Sequence, residues 1–289
     1  MFFELSVLAA FGAMLCWGFG DFLIQKSVRK VGDIEALAFI GIIGSIMLLP
    51  FVVFELPLLF SFENLALLCF VGIVTLVVAL FDFEALKQGK LSVVEIVLEI
   101  ELPATVLLGF LFFAEIVSTQ QIILILFILL GVGLISLSNV SKRQFLKGLE
   151  KGILLAIISG IGMAFLNFFT AVASRKVSPI MAVWAPFVVF TIPCLAIIWR
   201  REGLKKLAAN ASKYKFTFLG MGIFDTIAWV FFATAVFEKQ LAITIAITES
   251  YPAVAVLLAV CFNKEKIRKH QYAGAAIALA ACILLGLLA

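Results

Sequence analysis

Eight carboxylates stand out inside stretches that are otherwise apolar: Asp21, Asp82, Glu84, Glu95, Glu99, Glu101, Asp225 and Glu249. No lysine or arginine lies in those stretches away from their ends. A charged group at the centre of a bilayer costs about 2.5–3.5 kcal/mol on insertion scales, so it normally marks a pathway or meets a partner. Here no internal cation is available. The carboxylates must be protonated, solvated in a cavity, or neutralised by something that arrives. That is the chemistry of taking up and releasing a proton or a cationic group.

Depth separates them. At 1.5 Å per residue, Glu99 and Glu249 each lie about 12 Å into their segments, Glu101 about 15 Å and Asp225 about 16 Å. These four are the expected binding or coupling carboxylates. Asp21, near the end of its segment and close to Lys26, joins them, and the matching position in the second half of the chain is the polar Asn167. Asp82 and Glu84 are expected to pair at the interface with Lys87 and Lys90. Tyr251, Trp229 and Trp17 are the aromatic side chains expected to face a substrate. Pro103 and Pro252 interrupt their helices at nearly equivalent places. A proline removes a backbone donor, and such breaks survive in a membrane where protein or a cavity satisfies the freed groups.

The elements that must position these groups are transmembrane helices. Of 289 residues, 64% are hydrophobic and only 14% are charged, against about 25% charged in a soluble domain. A crossing needs about 20 apolar residues. Ten stretches qualify: Leu5–Gln25, Ile34–Phe54, Asn64–Glu84, Leu91–Phe113, Gln120–Val140, Gly152–Val172, Pro179–Trp199, Tyr214–Val236, Leu241–Phe262 and Gln271–Leu288. The connections are read as short loops, the longest being Arg200 to Lys213.

The chain is also written twice. Arg29-Lys30-Val31 returns as Arg175-Lys176-Val177, and Glu99, Glu115 and Gln121 return 150 residues later as Glu249, Glu265 and Gln271. Five crossings per copy turn the second copy upside down, the plan of many transporters whose site lies at the repeat interface. The expected fold is therefore an all-α integral membrane protein of ten helices in two inverted five-helix repeats, residues 1–140 and 152–289, joined by a linker at 141–151. Glu115 and Glu265, a few residues before the next helix, are expected to favour that helix's positive N-terminus.

Nineteen of the 22 Lys and Arg residues fall in the odd-numbered connections or, for Lys215, one residue past the edge of one. The positive-inside rule places that face in the cytoplasm and both termini outside. The basic pI reflects these scattered loop residues and implies no nucleic-acid partner. The five cysteines form no close pair, and the single histidine, His270, sits among lysines and arginines. No metal site, catalytic residue or cofactor is expected. No phosphate-binding Gly-x-x-x-x-Gly-Lys motif is present either.

Ala85 through Leu91, Pro103, Glu115, Gln121 and Gly131-Val132-Gly133, with Ala235 through Leu241, Pro252, Glu265, Gln271 and Gly274, form an ordered, repeated set. In this the chain resembles the EamA-like branch of the drug/metabolite transporter superfamily. The resemblance implies a ten-helix bundle with a central cavity and alternating access. It also implies a small-molecule substrate: an amino acid, another metabolite, a nucleotide sugar or a drug. The membrane-embedded Glu of the small four-helix multidrug relatives has no counterpart, because Phe11, Gly12, Ala13 and Met14 fill the middle of the first helix. The expected function is secondary active transport in the plasma membrane, with export of an amino-acid- or amine-type metabolite and proton coupling. The alternatives are efflux of cationic drugs and, in another class, a non-transporting receptor or scaffold.

Overall fold

The computed structural model describes residues 4–88, 97–136, 152–201, 203–254 and 268–288. The described regular structure is helical throughout: α1 Leu5–Val31, α2 Asp33–Val52, a 3-10 turn at Leu56–Phe60, α3 Phe62–Gln88, α4 Glu101–Phe113, α5 Thr119–Ser136, α6 Gly152–Lys176, α7 Met181–Arg201, α8 Leu204–Lys213, α9 Lys215–Glu238, α10 Leu241–Thr248 and α11 Lys269–Leu288. Six of these, α2, α3, α6, α7, α9 and α11, contain apolar stretches of at least 20 residues, long enough to cross a membrane. Leu5–Gly20, Glu101–Phe113, Thr119–Ile135 and Leu241–Val254 are shorter apolar helical stretches.

Each described α-helix except α8 packs against a helix of the other half. The pairs are α1 with α9, α3 with α6, α2 with α7, α4 with α10 and α5 with α11. The halves run in opposite directions. Glu4, just before α1, pairs with Lys239 at 2.6 Å. Arg175, near the end of α6, donates to the Lys239 carbonyl at 2.8 Å. The start of one first helix and the end of its equivalent therefore share a face.

Local chemistry explains the boundaries. Gly32, at φ +88°, ends α1 with its N–H on the Val28 carbonyl, a backbone conformation only glycine adopts without strain. Arg29 and Lys30 sit in the last turn of α1, while Asp33 and Glu35 open α2, each charge matching the helix dipole at its end. At α5 the Ser118 N–H donates to Gln121 Oε1 at 2.9 Å and the Gln121 N–H to Ser118 Oγ at 3.3 Å. This is a reciprocal capping box. Gln271 repeats half of it, accepting from the Arg268 N–H at 3.0 Å. Each of these glutamines also reaches its partner helix, Gln121 to the Leu288 carbonyl and Gln271 to the Ile135 carbonyl.

Packing relies on small residues where backbones meet, since lipid is as apolar as leucine and gives helices no hydrophobic reason to associate. A Cβ on Gly131 of α5 would fall 2.7 Å from the Gly274 carbonyl oxygen of α11. At the opposite end of the bundle, Gly41 and Gly44 of α2 are covered directly by Phe187, Phe190 and Thr191 of α7. Ile46, Phe51, Phe110, Leu126 and Ile283 remain exposed, as lipid-facing side chains would be.

One expectation is corrected and another is made specific. The stretch Arg200 to Lys213, read as a loop, contains the ten-residue helix α8. Its apolar residues recur at helical spacing but are too few to signal a crossing. The fourth segment of each half, expected to be interrupted by Pro103 and Pro252, breaks just before each proline. Val97 and Leu98 are helical, Glu99 and Ile100 form a turn, and α4 starts at Glu101. In the second half α10 stops at Thr248, Glu249 and Ser250 form the turn, and helix resumes at Tyr251.

Candidate functional site

The two interruptions occupy matching positions, 150 residues apart, and each is followed closely by proline. Pro103 lies in the first turn of α4, where its missing N–H leaves no bond unmade. Pro252 lies second in the helical stretch that starts at Tyr251. Short bonds close the backbone across each turn: Ile100 N–H to Val97 O at 3.2 Å, and Ser250 N–H to Ile247 O at 3.2 Å. The second turn also uses hydroxyls, with Ser250 Oγ donating to the Ala246 carbonyl at 3.0 Å and Thr248 Oγ1 to the Ile245 carbonyl at 3.1 Å.

The first helix of each half covers the turn of the other. A Cβ on Gly160 of α6 would come within 2.6 Å of the Ile100 side chain and 3.0 Å of the Leu98 carbonyl oxygen. A Cβ on Gly18 of α1 would stand 3.0 Å from Val254 and 3.4 Å from the Tyr251 carbonyl oxygen. Glu249 is 8% exposed, and Glu99 is half-buried.

Around the first turn, α3, α4 and α6 gather polar groups. Asn167 Nδ2 donates to Glu101 Oε1 at 2.6 Å. Ser159 Oγ donates to Asp82 Oδ1 at 3.4 Å. Asp82 and Glu101 lie close enough for their charges to interact. Thus Asp82, expected at the interface with Lys87 and Lys90, faces Ser159 and Glu101 as well; the side chains of those two lysines lie outside the described residues. Ser159 gave no signal in the sequence, because a lone serine in an apolar helix is unremarkable until a carboxylate is found opposite it.

Around the second turn, α1, α9 and α10 gather aromatic groups. Trp17 and Trp229 meet edge to face with ring centroids 5.2 Å apart, and Phe232 lies 5.8 Å from Trp17 and 5.7 Å from Trp229. Trp229 lies beside the Asp225 carboxylate, one turn back on α9. Tyr251 packs against the same cluster. The side chain of Asp21, on α1, lies outside the described residues, as do Glu95 and Glu265.

A cavity of about 10 Å³, room for a single water, lies between the halves. Thr75, Thr170, Leu166, Pro186 and Phe187 line it together with Trp229. Thr170 is one turn from Asn167 on α6. This helix therefore links the acidic cluster to the aromatic one.

Glu115 departs from its expected place. It does not cap the helix that follows it, which Ser118 and Gln121 already serve. Ala114, at φ +51°, turns the chain, and the Glu115 carboxylate meets the N-terminus of α10 in the other half. It accepts from the Leu241 N–H at 2.7 Å and the Ala242 N–H at 3.0 Å. Arg175 donates to it at 3.2 Å. The same guanidinium holds the Val236 and Lys239 carbonyls, each at 2.8 Å, at the end of α9. It also stacks over Phe113 at 4.1 Å. One ion pair thus ties four helix ends, those of α4, α6, α9 and α10, from both halves.

This architecture, two antiparallel halves of apolar helices with polar groups at paired helix interruptions, is that of a multi-pass membrane protein built from two repeats. The family model described as the EamA-like transporter family matches residues 4–137 and again 150–287, so the chain belongs to that family. A solved crystal structure superposes with a TM-score of 0.77 at 15% identity, covering 98% of this chain and 97% of that one; at that identity the likeness shows a shared fold. No curated protein matches the chain.

Proposed function

We propose that the chain is a secondary active exporter of a small amine- or amino-acid-type metabolite, driven by exchange for protons. In this reading all ten apolar segments cross the plasma membrane, and residues 141–151 separate the two inverted repeats. The termini lie outside. The observation that carries the reading is the pair Glu101 and Asn167, beside Asp82, at an interrupted helix in the interior. A carboxylate that binds an ammonium in one half-cycle and a proton in the other couples the two movements. The matching turns give each carboxylate cluster a hinge of its own, and the tie from Glu115 to Arg175 and α10 closes the less basic face.

Gradient-driven flux in proteoliposomes tests this across amines and amino acids at two pH values. Glu99→Gln or Glu249→Gln is expected to abolish flux while leaving the protein folded. Unchanged flux and pH dependence in both variants would sink the assignment of that pair. A second reading, efflux of bulkier cationic compounds, is favoured by the cluster of Trp17, Trp229 and Phe232, since aromatic faces attract cations. Substrate competition by flat organic cations separates the two.

A further inference from the structure

The connection between α7 and α9 is longer than its counterpart between α2 and α3, and it carries the largest group of basic residues in the chain. Between Trp199 and Phe216 stand Arg200, Arg201, Lys205, Lys206, Lys213 and Lys215, against one acid, Glu202. This connection folds as α8, which is joined to α7 and α9 by one or two residues at each end. α8 is therefore held at the rim of the hydrocarbon layer.

Its orientation is fixed by the buried face. Leu207 is buried in the core cluster of α2, α7 and α9. Asn210 Nδ2 donates to Glu35 Oε1 at 2.8 Å, locking α8 to the start of α2. The opposite face is exposed and carries Lys205, Lys206 and Lys213. Lys213 and Lys30 both stand against the Tyr214 ring, at 5.1 and 4.6 Å, which gathers cations from α1 beside those of α8. Trp199 is 67% exposed and Phe216 80%, and they flank the connection as interfacial aromatic anchors do. A neighbouring cleft of about 210 Å³ is lined by Asp33 and Glu35 as well as Arg201. Its charge is mixed, whereas the exposed face of α8 carries Lys205, Lys206 and Lys213.

We propose that α8 is a docking surface for anionic phospholipid headgroups, whose phosphates lie against Lys205, Lys206 and Lys213. Clusters of four to eight basic residues next to a membrane helix attract anionic lipid, and the attraction fades within a Debye length. A soluble acidic partner would have to reach a helix pinned at both ends to the bilayer rim. Lipid is already there.

The test uses the full chain in detergent, with added phosphatidylglycerol or phosphatidylcholine, read by native mass spectrometry and by melting. The wild type is expected to retain phosphatidylglycerol preferentially and to melt higher with it, and added salt should erase the preference. The variant Lys205→Gln/Lys206→Gln/Lys213→Gln should lose about fivefold or more of the phosphatidylglycerol occupancy. Its melting in detergent alone should match the wild type. The corresponding Lys→Arg triple variant should keep the preference. Equal retention of the two lipids by the wild type, or an unaltered preference in the Gln variant, would overturn the proposal. So would loss of preference in the Arg variant, or an equal melting shift with soluble glycerol phosphate.

Discussion

At the turn Glu99–Ile100 the neighbouring helices supply Asp82, Ser159, Glu101 and Asn167. At the matching turn Glu249–Ser250 they supply Trp17, Trp229, Phe232, Asp225 and Tyr251. The scaffold is the same in both places, because each turn is packed by the third helix of its own half and the first helix of the other. The side chains have diverged. The position equivalent to Asp82 is Phe232, and the position equivalent to Trp229 is Ala79. The position equivalent to Glu101 is Tyr251, and the position equivalent to Asn167 is Asp21. Duplication fixed where the backbone breaks, and substitution then made one pole acidic and the other aromatic. In the proposed transport cycle the acidic pole handles charge, and the aromatic pole handles the body of the substrate.

The comparison is broken most directly at the acidic pole. Glu101→Gln removes the charge that Asn167 meets at 2.6 Å. A hydrogen bond to a charged group is worth about 1.5–3 kcal/mol, so flux should fall about 10- to 100-fold. Asn167→Leu should fall in the same range, with melting little changed in Glu101→Gln. If Glu101→Gln transports normally while Asp225→Asn does not, the poles have been assigned the wrong way round.

At the aromatic pole, Trp229→Ala removes two ring contacts and the indole beside Asp225. Edge-to-face pairs contribute about 0.5–1.5 kcal/mol each. The apparent KM should rise about 5- to 20-fold, with kcat less affected. An unchanged KM with a collapsed kcat would move Trp229 from substrate contact to the moving parts.

The hinges give the smallest and most graded comparison. Gly160→Ala forces a methyl group against Ile100 and the Leu98 carbonyl, and overpacking of this kind costs about 1–3 kcal/mol. Gly18→Ala meets Val254 at 3.0 Å and a backbone oxygen only at 3.4 Å, so it should cost less. Thermal melting of the two variants should rank them in that order. The reverse order would mean that the two turns are not packed alike.

Much of this fold could be read from the residues. The 3.6-residue geometry of an apolar helix and the thickness of the hydrocarbon layer fix the segments. The repeat in Arg29 and Arg175, or Gln121 and Gln271, fixes the pairing of halves. Glu101, Asn167, Asp225 and Trp229 stood out because polar and aromatic groups in an uncompensated apolar interior are costly or conspicuous. Ser159 and Thr170 did not, since a hydroxyl in a helix can satisfy itself on its own backbone.

The sequence by itself determined a multi-pass, all-helical chain in two copies with carboxylates in its interior, because composition and spacing act along the chain and need no partner. Only the tertiary structure decided which groups meet. Glu115 serves α10 of the other half and not its own next helix, because a turn at Ala114 aims it there and Arg175 arrives from α6. Asn167 meets Glu101, and Trp17 meets Trp229, because each first helix crosses over to the opposite copy. Contacts between residues 60 to 200 positions apart depend on how helices pack, and packing is a property of surfaces in space that no window along the chain contains.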